Sequence, residues 1–484
     1  MTTRRLFVFL FVIALFAMAV RETLDPDMWW HLRTGEVILA DGLPRYDVFS
    51  FTVPDHRWIT HEWLSQVWMW IVYVAGGFTG LMVVFAAIVA LTFWLVYRRT
   101  PGRPYLAAFV VLLAAIASAI TWGARPQIFN LLLLAAFIYV VEGVRGGQLR
   151  ARYLWLLPPL TALWVNLHSG YLLGVVLLAT YVVGETLQAW LGPAGEPTLS
   201  TRQIRLLAAV TGVSFLAALL NPNGYHLWIY PFETLGSSAM QSYIQEWQPP
   251  DFHFAIFWPF AAMLALGVTG WVYSPRRPSF TDVLLFLGTG GAGLLSARHI
   301  PLFAIVAAPI VARSWWSVLA GTRVEGWLAP GTERPPGRLA RILNWSLLLL
   351  ALLAAAAWVG VKAGGNDEAI ADRYPVAAVD FLEQSGLDQE RGYNRYGWGG
   401  YLIWRGIPVF VDGRADVYGD DFLLYYRQTL ELQDDWREPL NEFNVTYALL
   451  GKNSALATLL ATSDGWQERY TDDQAAIFVR AGRN

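Results

Sequence analysis

Two aspartates, Asp25 and Asp27, follow an apolar stretch by a few residues and stand beside Trp29, Trp30, His31 and Arg33. A carboxylate in a partly dry setting can have its proton affinity tuned until it takes a proton from a hydroxyl. Placed against a membrane, it is expensive unless it has a task or a partner. The same pair has a plainer use, because an aspartate at a helix start accepts backbone N–H groups. Asp27 is well placed for that and Asp25 less so. With His31 the two could also hold a divalent cation, although His31 serves equally as an ordinary hydrogen-bonding residue. Arg33, Arg125 and Arg298 each lie close to an apolar segment. A guanidinium grips phosphate with two donors and stays charged, or it snorkels to lipid headgroups. Arg298 stands apart because ARHIP is a very short loop that also carries His299. His168, in NLHSG, is pinned in the same way, and His61-Glu62 closes the stretch that opens at Glu22.

These residues need elements to position them, and composition says which kind. Of 484 residues 55% are hydrophobic and only 15% charged. Several runs of about twenty apolar residues are long enough to cross a bilayer. The expected fold is therefore a polytopic α-helical membrane protein. A first, uncleaved span at about Leu6 to Val20 follows Arg4 and Arg5; basic residues stay inside, so the N-terminus is inside and the stretch after the span is external. The run HEWLSQVWMWIVYVAGG is expected to lie on the outer surface as an interfacial helix, with the second span at about Phe78 to Tyr97. Otherwise Arg98, Arg99 and Arg103 would fall outside. Further spans are expected near 104–121, 127–144, 153–167, 171–190, 206–220, 254–273, 281–297, 301–318 and 342–361, about eleven in all. Inward loops then carry Arg145/Arg150/Arg152, Arg202/Arg205, Arg276/Arg277 and Arg323/Arg334/Arg338/Arg341. In this register His31, His56, His61, His168, His226, His253 and His299 all lie at or beyond outer helix ends. That reads either as imidazole tolerated at interfaces or as loops converging on one polar site. The long outer loop 221–253 carries Glu246, Asp251 and His253, and its YHLWIYPFE segment reads as a second interfacial helix or a lid. Glu142 and Glu185, toward the inner ends, read as structural.

The domain boundary falls at 362/363. Residues 1–362 hold the spans, with external loop 22–77, and 363–484 form a small soluble domain. From Ala363 onward there are 20 acidic and 11 basic residues, against 17 and 24 before it. With the spans so counted, this acidic tail lies outside. Helix-like PVAAVDFLEQSG, a buried-type strand in IPVFVDGRADVYG and a last strand at AAIFVRA indicate an α/β domain. Gly397, Gly399 and Gly400 relax the backbone beside aromatics, and Asp412, Arg414 and Asp416 read as a salt-bridged turn. No phosphate-loop pattern is present. Nothing calls for nucleic acid as a partner, and without cysteine there is no disulfide or thiolate chemistry.

The layout resembles the GT-C superfamily of membrane glycosyltransferases, in its protein-mannosyltransferase and aminoarabinose-transferase-like branch. Those enzymes have a short N-terminus, one span, and a large first external loop with an acidic residue near its start. Asp25 and Asp27 stand where that residue is expected, and His61 to Arg99 looks like the family's interfacial helix and second span, with Gly77-Phe78 at the joint. The likeness covers residues 1–130 by motif and the rest by hydropathy. It implies inverting transfer, at the outer face of the cytoplasmic membrane, from a polyprenyl-phosphate sugar donor to a glycan, lipid or protein acceptor. Asp25 or Asp27 would be the base. Arg298, with Arg125 and Arg33, would hold the donor phosphate, and Trp29, Trp30, His31, His61, Glu62, His168 and His299 would line the pocket among membrane lipid. No cofactor follows; a divalent cation at the aspartates stays open. The rival reading is a non-enzymatic transporter or a scaffold presenting the outer domain. Transporters place charged groups at mid-membrane in related halves, whereas here polar residues gather on one side and no halves repeat. Transfer of a whole lipid-linked oligosaccharide is a third reading that the sequence barely separates from the first.

Overall fold

A computed structural model describes residues 1–192, 199–328 and 336–482. The chain forms two compact units that do not follow chain order. One, the helical unit, comprises Met1–Arg21, Met82–Pro231 and Gln245–Lys362. The other, the mixed unit, joins Glu22–Leu81 and Phe232–Ile244 to Ala363–Asn484. The segment that follows the first helix thus folds with the tail.

Six helices among the described residues are long and apolar enough to cross a membrane: Trp63–Arg99, Gln127–Arg145, Tyr171–Leu191, Ala255–Tyr273, Ala297–Leu319 and Arg338–Gly364. Shorter apolar helices include Tyr105–Thr121 and Phe280–Leu295. A helix satisfies its own backbone polar groups, as a spanning segment must. The chain is an integral membrane protein. Within the helical unit, the Ala-rich helix Ile300–Leu319 is buried along most of its length. It packs against Tyr105–Ser118, Trp258–Tyr273 and Phe280–Leu295. Small residues allow these close approaches; a Cβ on Gly293 would come within 2.9 Å of the Phe260 ring. Arg338–Gly364 is the opposite case, burying only Asn344, Leu348 and Ala355.

Glu142 and Glu185 belong to a buried charge network. Arg145 meets Glu185 at 2.8 Å and Glu142 at 3.2 Å, and Arg313 meets Asp282 at 2.8 Å and Glu142 at 3.2 Å. Tyr181 donates to Glu142 at 2.9 Å, and Thr281 to Glu185 at 2.8 Å. Apolar surroundings tolerate such charges only as pairs. Of the arginines expected on inward loops, Arg334 lies outside the described residues.

The helix Trp63–Arg99 is broken at Gly77, where φ is 61° and ψ −156°. Only glycine adopts that backbone without strain. The sequence expectation of a joint at Gly77-Phe78 is met here.

The mixed unit contains a four-stranded sheet. Its strands are β1 (Gly392–Asn394), β2 (Tyr447–Gly451), β3 (Trp466–Thr471) and β4 (Ala475–Arg480), in the order β1-β2-β4-β3. β1 runs parallel to β2 and the other pairs are antiparallel, with Leu449 opposite Ile477. β2 and β4 are almost wholly buried, and β3 is the exposed edge. The last strand is where the sequence placed it. The strand expected in IPVFVDGRADVYG is not. Val409 makes only an isolated bridge with Ser50. Its N–H donates to Phe49 O at 3.1 Å and its carbonyl accepts from Phe51 N at 3.2 Å. Phe410 N donates instead to the Asn394 side chain at 2.9 Å, so no ladder extends. From Ala415 to Leu430 the chain is helical apart from a break at Gly419, where φ is 75° and ψ 167°.

Candidate functional site

The Asp25–Asp27 turn opens the helix Met28–Asp41. Asp27 occupies the N-cap position, yet its side chain makes no capping bond. Its Oδ1 accepts from the Trp30 indole N–H at 3.2 Å. Asp25 Oδ1 accepts from Asp27 N at 3.0 Å. The sequence expectation is thereby reversed: Asp25 organises the turn, and Asp27 points sideways to the indole. Both carboxylates are half-buried.

Two glycines of the tail make room for this turn. A Cβ on Gly413 would collide with Asp27 Oδ1, and one on Gly400 with Pro26 O. Of the glycines noted beside the tail aromatics, Gly399 and Gly400 serve close approach to backbone, of Val411 and Pro26 respectively, whereas nothing lies within 4 Å of a Cβ on Gly397. Tyr396 completes this side, its hydroxyl donating to Gly413 O at 3.2 Å. Burial and then the charges of Asp27, Asp412 and Asp416 push its phenol well above the ordinary value.

Trp29 is 1% exposed. Its ring lies 5.5 Å from Phe78, 5.3 Å from Tyr374 and 5.1 Å from Tyr401. It is a core residue of this unit and offers no face to a ligand, against the expectation of a pocket-lining role. Trp30 is also buried, its ring centroid 3.6 Å from that of the His31 imidazole at a tilt of 37°.

His31 Nδ1 faces Gln66 Nε2 at 3.2 Å, and its Nε2 lies 3.6 Å from Glu62 Oε2. His61 Nε2 lies 3.4 Å from the other oxygen of Glu62. One carboxylate therefore bridges two imidazoles. Burial alone would lower the His61 pKa, but Glu62 and Asp416 raise it above the ordinary 6.5. Both ring nitrogens of His31 thus face side chains other than Asp25 and Asp27. Among the described residues no group of three or more His, Cys, Asp or Glu side chains could hold a metal ion. Arg33 sits on the part-exposed face of its helix, paired with Glu36.

In the helical unit, Arg125 and Arg298 converge on one carboxylate. Arg125 meets Glu246 Oε1 at 3.1 Å and Arg298 meets the same oxygen at 3.2 Å. Arg298 also lies over the Trp247 ring at 4.9 Å, and His299 stands edge-on to that ring at 6.4 Å. Burial alone would raise the Glu246 pKa, but Arg125 and then Arg298 hold it at about 2, with a further contribution from His168. His168 closes the helix Leu157–Leu167. Its Nδ1 accepts from Gly170 N at 2.8 Å and lies 2.9 Å from Asn130 Nδ2. The sequence reading noted Glu246 only as a loop residue. Its partners lie 121 and 52 positions away, and no local pattern marks them.

No family model matches the sequence, and no curated protein sequence matches it. Solved structures do match over nearly the whole chain. The oligosaccharyltransferase of Archaeoglobus fulgidus, tethered with an acceptor peptide containing the NVT sequon, superposes with a TM-score of 0.56 at 12% identity, covering 99% of this chain and 74% of that one. The same enzyme in complex with Zn and sulfate gives 0.52 at 12% identity over 98% and 73%. ArnT from Cupriavidus metallidurans, bound to undecaprenyl phosphate, gives 0.50 at 12% identity over 97% of each chain. Both are GT-C membrane glycosyltransferases. At this identity the likeness is one of fold, and it is the fold the sequence led us to expect.

Proposed function

We propose that this chain, with its GT-C fold, is a glycosyltransferase. In this reading it moves a sugar from a polyprenyl-phosphate-linked donor to a glycan, lipid or protein acceptor at the outer face of the membrane. The observation that carries the reading is the Asp25–Asp27 turn: two half-buried carboxylates, one oriented by a backbone N–H and one by an indole. Support also comes from what the structural neighbours bind, an acceptor peptide in one and undecaprenyl phosphate in the other.

The chemistry balances as a single displacement. Asp25 or Asp27 takes the acceptor hydroxyl proton while that oxygen attacks the anomeric carbon from the face opposite the phosphate. The carbon–oxygen bond to phosphate breaks, configuration inverts, and the lipid phosphate leaves with its charge. Arg298 and Arg125 are the groups suited to take that charge; Arg33, engaged with Glu36, is a weaker choice. The zinc and sulfate held by the archaeal enzyme make a divalent cation compatible with this reading, but no step here runs through one.

Asp25→Asn and Asp27→Asn variants test it. Each should fold, and one should lose transfer from a lipid-linked donor by about two to four orders of magnitude, the usual contribution of a general base. Full activity in both would remove the base.

A further inference from the structure

The arginine pair assigned to the donor phosphate is not open. Glu246 bridges it, at 3.1 and 3.2 Å. A carboxylate and a phosphate offer a guanidinium the same kind of acceptor oxygens, so the two compete for the same donors. Arg298 has a second hold, the Trp247 ring at 4.9 Å, which keeps it in place when the carboxylate leaves.

The bridge also fastens its own segment. Ser296 Oγ donates to Glu246 O at 3.1 Å, and Ala297 N donates to Gln248 O at 3.0 Å. Residues 246–248 are thus tied to the short turn that carries Arg298 and His299. The side-chain bridge and these two bonds form one latch.

We propose that Glu246 is the resting occupant of an anion site made by Arg125 and Arg298, and that the phosphate of a lipid-linked donor binds there by displacing it. The proposal rests on the phosphate-binding reading of the two arginines. It adds that donor binding and release of the 246–248 segment are one event. A site blocked most of the time loses apparent affinity in proportion to the fraction that is free. Arg125 and Arg298 hold the Glu246 carboxyl well below the ordinary carboxylate range, so proton uptake near neutral pH does not open the latch.

The test uses the full-length protein in detergent, with farnesyl phosphate as the probe. Binding is titrated for the wild type and for Glu246→Gln, and amide exchange at Ala297 is followed in the wild type as the probe is added. The expected result is binding about tenfold tighter in the variant, for a site free about one-tenth of the time, together with faster Ala297 exchange in the probe-bound wild type. Equal or weaker binding by the variant overturns the latch. So does tighter binding with unchanged Ala297 exchange, which is removal of charge repulsion alone. If neither form binds the probe, the phosphate reading of the arginine pair falls as well. The exchange measurement needs no substitution, so a folding defect in the variant does not shield the idea.

Discussion

Arg414 carries a full charge with no exposed side-chain surface. Its guanidinium meets Asp47 at 2.6 Å and Asp412 at 2.7 and 2.8 Å, and lies over the rings of Phe49 at 5.0 Å and Trp58 at 4.7 Å. Tyr418 donates to the same Asp412 at 2.5 Å. Burial alone would lower the arginine's pKa, but Asp412 above all, with Tyr418 and Asp47, holds it well above the ordinary value. The salt bridge expected between Asp412 and Arg414 is present, and Arg414 also clamps the segment after the first helix through Asp47, its second acid. Removing one partner of a buried ion pair strands the other charges and costs about 3–5 kcal/mol. Arg414→Met should therefore lower the thermal midpoint in detergent by many degrees, or prevent folding. A midpoint within a degree or two of wild type would show that the clamp carries no stability.

At the scale of elements, the short helix Ser238–Tyr243 is held by the tail helix Ala415–Leu430. Asp420 accepts from Ser237 Oγ at 2.5 Å, from Ser238 N at 2.8 Å and from Ala239 N at 3.3 Å. Arg427 lies 3.6 Å over the Tyr243 ring. The segment read as an interfacial helix or lid begins as the helix His226–Gly236 and continues into this fastening. A side-chain cap is worth about 1 kcal/mol, enough to set local opening without deciding global stability. Asp420→Ala should speed amide exchange and proteolysis within 232–244 by about fivefold, from the same ~1 kcal/mol, with the sheet amides unchanged. Unaltered exchange there would mean that the helix is held by its other contacts.

At the scale of the molecule, the question is orientation. Arg4 and Arg5 precede the first helix, and Arg98 and Arg99 end the helix Trp63–Arg99. Basic residues favour the inner side, and the acidic tail is suited to the outer one. Reporter fusions at Arg99 and at the C-terminus should read inside and outside respectively. An outside signal at Arg99 would make the stretch before Gly77 a span of its own and reverse the order of the later helices.

How much of this was legible in the sequence follows from the range of each interaction. Membrane class came from apolar runs, the broken helix from Gly77, and the acidic turn from its place after the first helix; each is written in neighbouring residues. The β4 segment was legible because a buried strand is a short apolar run. β1 is three residues long and β3 is a polar edge, so neither carries such a signal. Val409 looked like a strand because it is buried, but whether a buried run finds a ladder depends on what lies beside it. The remaining features join distant positions: Arg414 with Asp47, 367 residues apart, Arg125 with Glu246, and Gly413 with Asp27. Hydropathy and helical period say which residues hide from water or lipid. Which charge answers which is settled only when the folded backbone brings them within a few ångströms, because in a medium of low polarity an ion without its partner is too costly to keep.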